Sequence, residues 1–306
     1  MKSENKEKSM TRNSWLLTTC FQLVWCAALV APVSAQHFRQ VTGTLTQVAS
    51  GRNEVFGIGT SNQVYRYNPG TKAFVQTPGS LTQVAVGGGS LSQKDEVWGI
   101  GTSGQIYRFN FGTKTFTQVP GTLAQIVVGE GIWDKCHPYE VWGLNAGELI
   151  FRYNYCSRGF DQIAGSLTHI ATGGGSVWGL NGSAQIYYFS LFNQAFAQIP
   201  GSLQQIAVGV NDVWGLDGNF QLYHFDSSTA LFVQYNPTSL YTQIVAGGDG
   251  VWALDANGVT TRMVPSDPST VFTFFQGNGF AQIAAGYGAG VWEIDSSNRV
   301  YVLVRP

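Results

Sequence analysis

Charge is scarce in this chain. Asp, Glu, Lys and Arg make up 11% of its 306 residues, less than half the usual share of about 25%. A formal net charge of −1 beside 13% aromatic residues excludes a disordered chain, which needs the opposite balance. No stretch beyond residue 35 sustains the apolar period of a helix, so a helical bundle is excluded as well. Basic residues form no stripe that could neutralise a run of phosphates, which sets nucleic acid aside as a partner. Histidine is limited to His37, His137, His169 and His224, at unrelated places in the pattern described below. Neither a metal site nor a nucleophile–base pair is suggested, and no cofactor is expected.

The first 35 residues are a different kind of sequence. A charged stretch over 2–12 leads into an apolar run over 15–30, then Pro32 and Val33-Ser34-Ala35. That is the layout of a secretory signal peptide cleaved after Ala35, with Met10-Thr11-Arg12 a more usual basic start than the mixed run before it. The alternative is an uncleaved anchor, although the run is shorter than a full span of about 20 residues. Cleavage removes Lys2, Lys6, Lys8, Arg12, Glu4 and Glu7 from 17 basic and 18 acidic side chains, leaving 13 and 16, a net charge of −3. Residues 36–306 are then one exported domain with no membrane span, secreted, periplasmic or held at a cell surface. Cys20 and Cys26 are discarded with the signal, and Cys136 and Cys156 remain. In an oxidising compartment an isolated pair reads as a disulfide. A zinc site is the alternative, but it wants more Cys or His than His137 nearby.

What the chain has in abundance is glycine, 38 residues, and a phrase repeated seven times. Aligned on Gln47, Gln83, Gln125, His169, Gln205, Gln243 and Gln282, a glycine follows four residues later each time. A bulky aromatic then arrives at Phe56, Trp98, Trp142, Trp178, Trp214, Trp252 and Trp292. The steps between anchors are 36, 42, 44, 36, 38 and 39 residues. Each unit reads as four short strands: a of the type Leu81-Thr82-Gln83-Val84-Ala85-Val86, b of the type Val97-Trp98-Gly99-Ile100, c of the type Gln105-Ile106-Tyr107-Arg108-Phe109, and d of the type Phe116-Thr117-Gln118-Val119, closed by Pro120-Gly121. Four antiparallel strands in about 40 residues, repeated, describe a β-propeller blade. Phe38-Arg39-Gln40-Val41 matches strand d, and the chain ends on Val300-Tyr301-Val302-Leu303, which matches strand c. The last blade therefore lacks its outer strand and the amino-terminal segment supplies it, removing the exposed edges of an open ring. The fold expected is all-β, a seven-bladed β-propeller of four-stranded antiparallel blades.

The Leu-x-Gln-Ile-Ala-x-Gly strand, the Val-Trp-Gly-Leu strand and the Gln-Ile-Tyr-Arg strand resemble the tectonin repeat of tachylectin-1, fish egg lectin and fungal and slime-mould tectonins. The likeness covers essentially all of residues 36–306. It implies a non-catalytic lectin that recognises surface glycans, methylated or acetylated sugars among them, in innate defence or cell–cell contact. Family propellers commonly have six blades and seven are counted here, which bears on any transfer of binding positions. Sialidase-type Ser-x-Asp-x-Gly-x-Thr-Trp boxes are missing from the sequence.

Two sets of repeated residues are candidate ligand contacts. Trp98, Trp142, Trp178, Trp214, Trp252 and Trp292 either wedge between blades as core or reach an inter-blade groove to stack on a sugar; Phe56 in the same slot favours core. Arg66, Arg108 and Arg152 on strand c either pair with hydroxyls or carboxylates or snorkel over a solvated outer strand. Their equivalents are read as Tyr188, His224, Thr261 and Val302. Acidic residues are expected mostly in turns, with Asp217, Asp255 and Asp295 at equivalent places. The a-to-b connections of blades 2 and 3 carry insertions. The blade 3 loop holds Trp133, the only tryptophan after residue 35 outside the repeat slot, with Cys136 beside it and Cys156 in the c-to-d connection on the same face. This loop is either a recognition tip or a structural clip, and the alternative to a lectin is a protein-binding scaffold using the blade 2 and 3 loops.

Overall fold

Alternating apolar and polar residues in runs of four to ten, each bounded by Gly, Asn or Asp, can only be satisfied by short strands that bury one face or both. The computed structural model of the protein describes residues 36–88, 94–248, 250–264, 267–274 and 279–305. The segment read as a signal and part of the blade 2 insertion therefore lie outside the described residues. Seven four-stranded antiparallel sheets form a seven-bladed β-propeller, and no helix occurs among the described residues. Blade 1 runs Gln47–Ser50, Val55–Ile58, Gln63–Asn68 and Ala73–Ser80, as strands a to d from the axis outward. Innermost strands of successive blades touch, and that of blade 7 (Phe280–Ala285) returns to that of blade 1. His37–Thr44 pairs antiparallel with Arg299–Val304, Phe38 opposite Leu303, so the outer strand of blade 7 comes from the amino-terminal side as expected.

Strand d is longer than the sequence suggested. It continues through the Pro-Gly pair, as in Thr115–Thr122, with a register shift that absorbs the extra residues. Gly121 there has φ +113, a conformation L side chains rarely adopt, which is why glycine follows the proline.

The repeated aromatic holds each blade to the next. Trp98 of blade 2 lies edge-on against Tyr153 and Phe160 of blade 3, with ring centroids 4.7 and 5.9 Å away. Trp142 meets Phe189 and Phe196 of blade 4, and Trp178 meets Phe225 and Phe232 of blade 5. Around the closure, Trp292 meets Tyr67 and Phe74 of blade 1 at 4.6 and 5.5 Å. Phe56 does the same with Phe109 and Phe116, without an indole N–H to place. The glycine after the aromatic has a simple cause: a Cβ at Gly57, Gly99 or Gly143 would collide with the methyl groups of Leu45, Leu81 or Leu123, which plug the blade above it.

A second belt runs round the axis. The innermost strand has no neighbour in its own sheet on its axial side, so its outward N–H groups need partners. The anchor glutamines supply them: Gln47 Oε1 accepts from Val84 N–H, Gln83 from Ile126, Gln125 from Ile170, Gln205 from Ile244, Gln243 from Ile283 and Gln282 from Val48. Only blade 4, where the anchor is His169, sends no amide to the following N–H, that of Ile206.

Blade 7 departs from the pattern inside its core. Glu293 stands where other blades have Gly or Ala, fully buried, and its one described partner is the Thr260 hydroxyl of blade 6. Glu293 Oε2 is buried with no partner, and burial pushes the carboxyl up to about 8. Between the ordinary value of 4.5 and about 8, the native protein binds one proton more than the unfolded chain. Stability should therefore be highest below the lower value and fall as pH rises through the upper one. Melting curves from pH 5 to 9 should show this decline, and Glu293→Gln should flatten it; equal slopes in both proteins would contradict it. Removing residues 36–42 should lower Tm by on the order of 10 °C, since Phe38 and Val41 are both buried in the closing blade. An unchanged melting curve would mean that this strand does not hold the ring shut.

Candidate functional site

The six repeat tryptophans lie in the inter-blade core, each 4% exposed or less. Rings of the next blade lie against Trp98, Trp142, Trp178 and Trp292, Trp214 shares a core cluster with Met263 of blade 6, and with all six buried no open face is offered to a ligand. The side chain of Trp133 lies outside the described residues.

The arginines sit on strand c directly opposite the aromatic of strand b: Phe56–Arg66, Trp98–Arg108 and Trp142–Arg152. Strand register corrects the sequence alignment in blade 6. There Trp252 faces Arg262, not Thr261: the aromatic and the strand c residue opposite it are ten residues apart in this blade as in all the others, and Thr261 is one short of that spacing. Arg262 lies over the Trp252 ring at 5.8 Å, as Arg108 lies over Trp98 at 5.6 Å and Arg152 over Trp142 at 5.3 Å.

In blades 1, 2, 3 and 5 a carboxylate stands two residues before the aromatic, whereas blades 4, 6 and 7 have Ser176, Gly250 and Gly290 there. Glu54, Glu96 and Glu140 each accept two hydrogen bonds from the arginine fork, Nε to one oxygen and Nη2 to the other, at 2.6 to 3.0 Å. The same carboxylate takes the indole N–H, Trp98 to Glu96 at 3.2 Å and Trp142 to Glu140 at 2.6 Å. In blade 5 Asp212 accepts from Trp214 at 2.8 Å, and His224 replaces arginine with its ring 4.5 Å from the indole. Burial holds His224 below its ordinary pKa. Blade 4 has Ser176 in the acid position, and the Trp178 indole N–H is buried without a partner. The arginine forks are thus already engaged inside the protein, a partnership the sequence reading missed by assigning acidic residues mostly to turns. The visible signal was Glu-Val-aromatic at 54–56, 96–98 and 140–142, with Asp-Val-Trp at 212–214. Asp217, Asp255 and Asp295 do serve turns, each accepting two backbone N–H groups.

Electrostatic depth varies round the ring. Arg152 and Glu140 are 3% and 1% exposed, while Arg66 and Glu54 are 33% and 16%. Burial pushes the Glu140 carboxyl up, and Arg152 and the Trp142 indole pull it back only in part. Burial works against the charge of Arg108, but Glu96 outweighs it by hydrogen bond and charge and holds the guanidinium above its ordinary value. Between blades 1 and 2 the partly exposed Arg66 borders an outer-rim groove of about 450 Å³ with Asn68, Val75, Gln76, Phe109 and Lys114.

Cys136 and Cys156 form a disulfide across 5.0 Å between Cα atoms, closing a sequence separation of 20. It staples the extended inner hairpin of blade 3, Gln125–Asp134 with His137–Leu144, to the turn after Leu149–Asn154. Tyr155 N–H also donates to the Cys136 carbonyl. His137 and Asp134 pair at 2.6 Å at the hairpin tip, and this bond holds the Asp134 carboxyl below its ordinary value. No cluster of three or more His, Cys, Asp or Glu that could hold a metal ion occurs among the described residues.

A family model described as Tectonin domain matches residues 27–190 and 167–305. No curated protein matches the chain in sequence. Similar solved structures include Prp20p from Saccharomyces cerevisiae, 10% identical, with a TM-score of 0.65 over 84% of this chain and 81% of that one. Human WBSCR16 is 10% identical, with a TM-score of 0.62 over 87% and 88%, and YCF48 from Cyanidioschyzon merolae is 12% identical, with 0.61 over 88% and 99%. At such identities the likeness is one of fold.

Depth predicts unequal consequences of breaking the pairs. Arg152→Met leaves Glu140 buried and unpaired and should cost about 3–5 kcal/mol. Arg66→Met exposes its partner to water and should cost roughly 1 kcal/mol or less. Urea denaturation of both variants checks this, and similar losses would refute the graded burial of the network.

Proposed function

The chain belongs to the tectonin family, and from that premise we propose that it is an exported, non-catalytic lectin whose sugar sites lie in outer-rim grooves between blades. The observation that carries the reading is the groove between blades 1 and 2. Val75, 51% exposed, offers an apolar surface beside the Arg66, Asn68, Gln76 and Lys114 polar groups. A pyranose ring presents the same mixture, C–H groups on one face and hydroxyls round the edge. Asn68 keeps its side-chain amide N–H free, its oxygen being engaged by Gly70 and Thr71. Export is supported by the amino-terminal segment and by the disulfide, a bond of oxidising compartments.

The sites are unequal, because the residue opposite the strand c arginine changes from Val75 to Thr117 to Asp161 in blades 1 to 3. Binding should therefore involve fewer sites than there are blades, each weak, with avidity on glycan-coated surfaces. A glycan array followed by calorimetry on the strongest array glycan tests this. Val75→Asp, which copies blade 3, should weaken that glycan roughly tenfold with little change in Tm. Silence across the array would end the lectin reading.

A second reading, a protein-binding scaffold, is favoured by the stapled hairpin of blade 3. YCF48, similar in fold, has been solved bound to a D1 peptide. On this reading the partner occupies one site formed by the blade 2 and 3 loops, independent of sugar.

A further inference from the structure

The b-to-c turns open on the face opposite the arginine network, and one of them differs from the rest. The last residue of this turn has positive φ in every blade: Asn62, Gly104, Glu148, Ala184, Phe220, Gly258 and Asn298. The conformation has a job. It aims the carbonyl at the backbone N–H of the connector entering the next blade, as Asn62 does for Leu81, Ala184 for Leu203 and Phe220 for Tyr241. Glycine and asparagine adopt it readily, whereas a bulky aromatic does so at a cost of order 1 kcal/mol. Phe220, at φ +63, nevertheless stands 53% exposed, so its ring contributes little burial in return.

That ring borders a pocket of about 470 Å³ spanning blades 4, 5 and 6, together with His169, Gln205, Asp217 and Thr242. His169 occupies the one anchor position that is not glutamine, and its exposed ring reaches no partner in the belt. Gln205 uses its oxygen for Ile244 N–H, which leaves the amide N–H groups as donors. Asp217 Oδ1 holds the turn, while Oδ2 accepts only from Tyr223 OH at 3.4 Å. An exposed aromatic face, a carboxylate with acceptor capacity and two donors converge here, and the two residues that depart from the repeat both line the same cavity.

We infer that this pocket is a separate, single binding site for a neutral hexopyranose. The sugar's C–H face would lie on Phe220, adjacent hydroxyls would donate to Asp217, and His169 and Gln205 would donate to ring or hydroxyl oxygens. Asp217 at its wall disfavours acidic sugars. The choice of ligand class rests on the lectin reading; the place does not, since it shares no residue with the outer-rim groove.

The repeat itself provides variants that keep the turn. Phe220→Ala copies Ala184 of blade 4, and Asp217→Asn copies Asn181, which holds its own turn by the same two hydrogen bonds. Methyl β-D-galactopyranoside, methyl α-D-mannopyranoside and N-acetylglucosamine would be titrated into the full chain by saturation-transfer NMR and calorimetry. The expected result is one binding site for at least one of these sugars, weakened roughly tenfold or more in each variant at unchanged Tm. Binding that persists equally in both variants overturns this pocket and leaves the lectin reading standing. Binding of none of the three also overturns it, and the lectin reading then stands or falls on the array alone.

Discussion

Every blade depends on an aromatic ring it does not own. Trp98, Trp142 and Trp178 project from strand b of one sheet and lie against the outer-strand rings of the next, and Trp292 completes the circuit on Tyr67 and Phe74. A blade of some 40 residues cannot bury such a ring within itself, so stability accrues to neighbours in pairs, and in a closed ring to all of them at once. The glutamine belt adds the polar counterpart, giving the innermost edges partners that no strand of their own sheet can provide.

The same constraint decides which side chains are left for recognition. The indoles are core, and the N–H groups of Trp98, Trp142 and Trp214 are tied to Glu96, Glu140 and Asp212. Glu96 and Glu140 in turn engage Arg108 and Arg152, so the most repetitive residues form a structural network. Recognition is left to positions where the repeat drifts and the side chain present is neither wedged between blades nor tied into the belt. Val75, His169 and Phe220 are such positions, and all three border cavities or grooves.

Drift inside the core has another character. Glu293 and Thr260 meet between blades 6 and 7; at the Glu293 position blades 1 to 5 pack glycine under leucine. The pair sits beside the blade completed by the amino-terminal strand. The ring is therefore sensitive to protonation near its closure, an outcome of two substitutions that face each other only after folding.

Much of the architecture was legible because a repeat reports its own geometry. The phase of Gln, Gly and Trp set four strands per unit, seven units and the Phe38 closure, since each follows from a single chain having to cover identical apolar faces in turn. The pairing of Cys136 with Cys156 was legible for a similar reason, both lying in connections that open on one face of one blade. What the sequence by itself could not determine was contact across blades and across strands. That Glu54, Glu96 and Glu140 hold the arginines, and that His169 and Phe220 share a pocket 51 residues apart in the chain, were decided by register and ring closure. Local pattern specifies which face a side chain takes; only the closed tertiary structure specifies what it meets there.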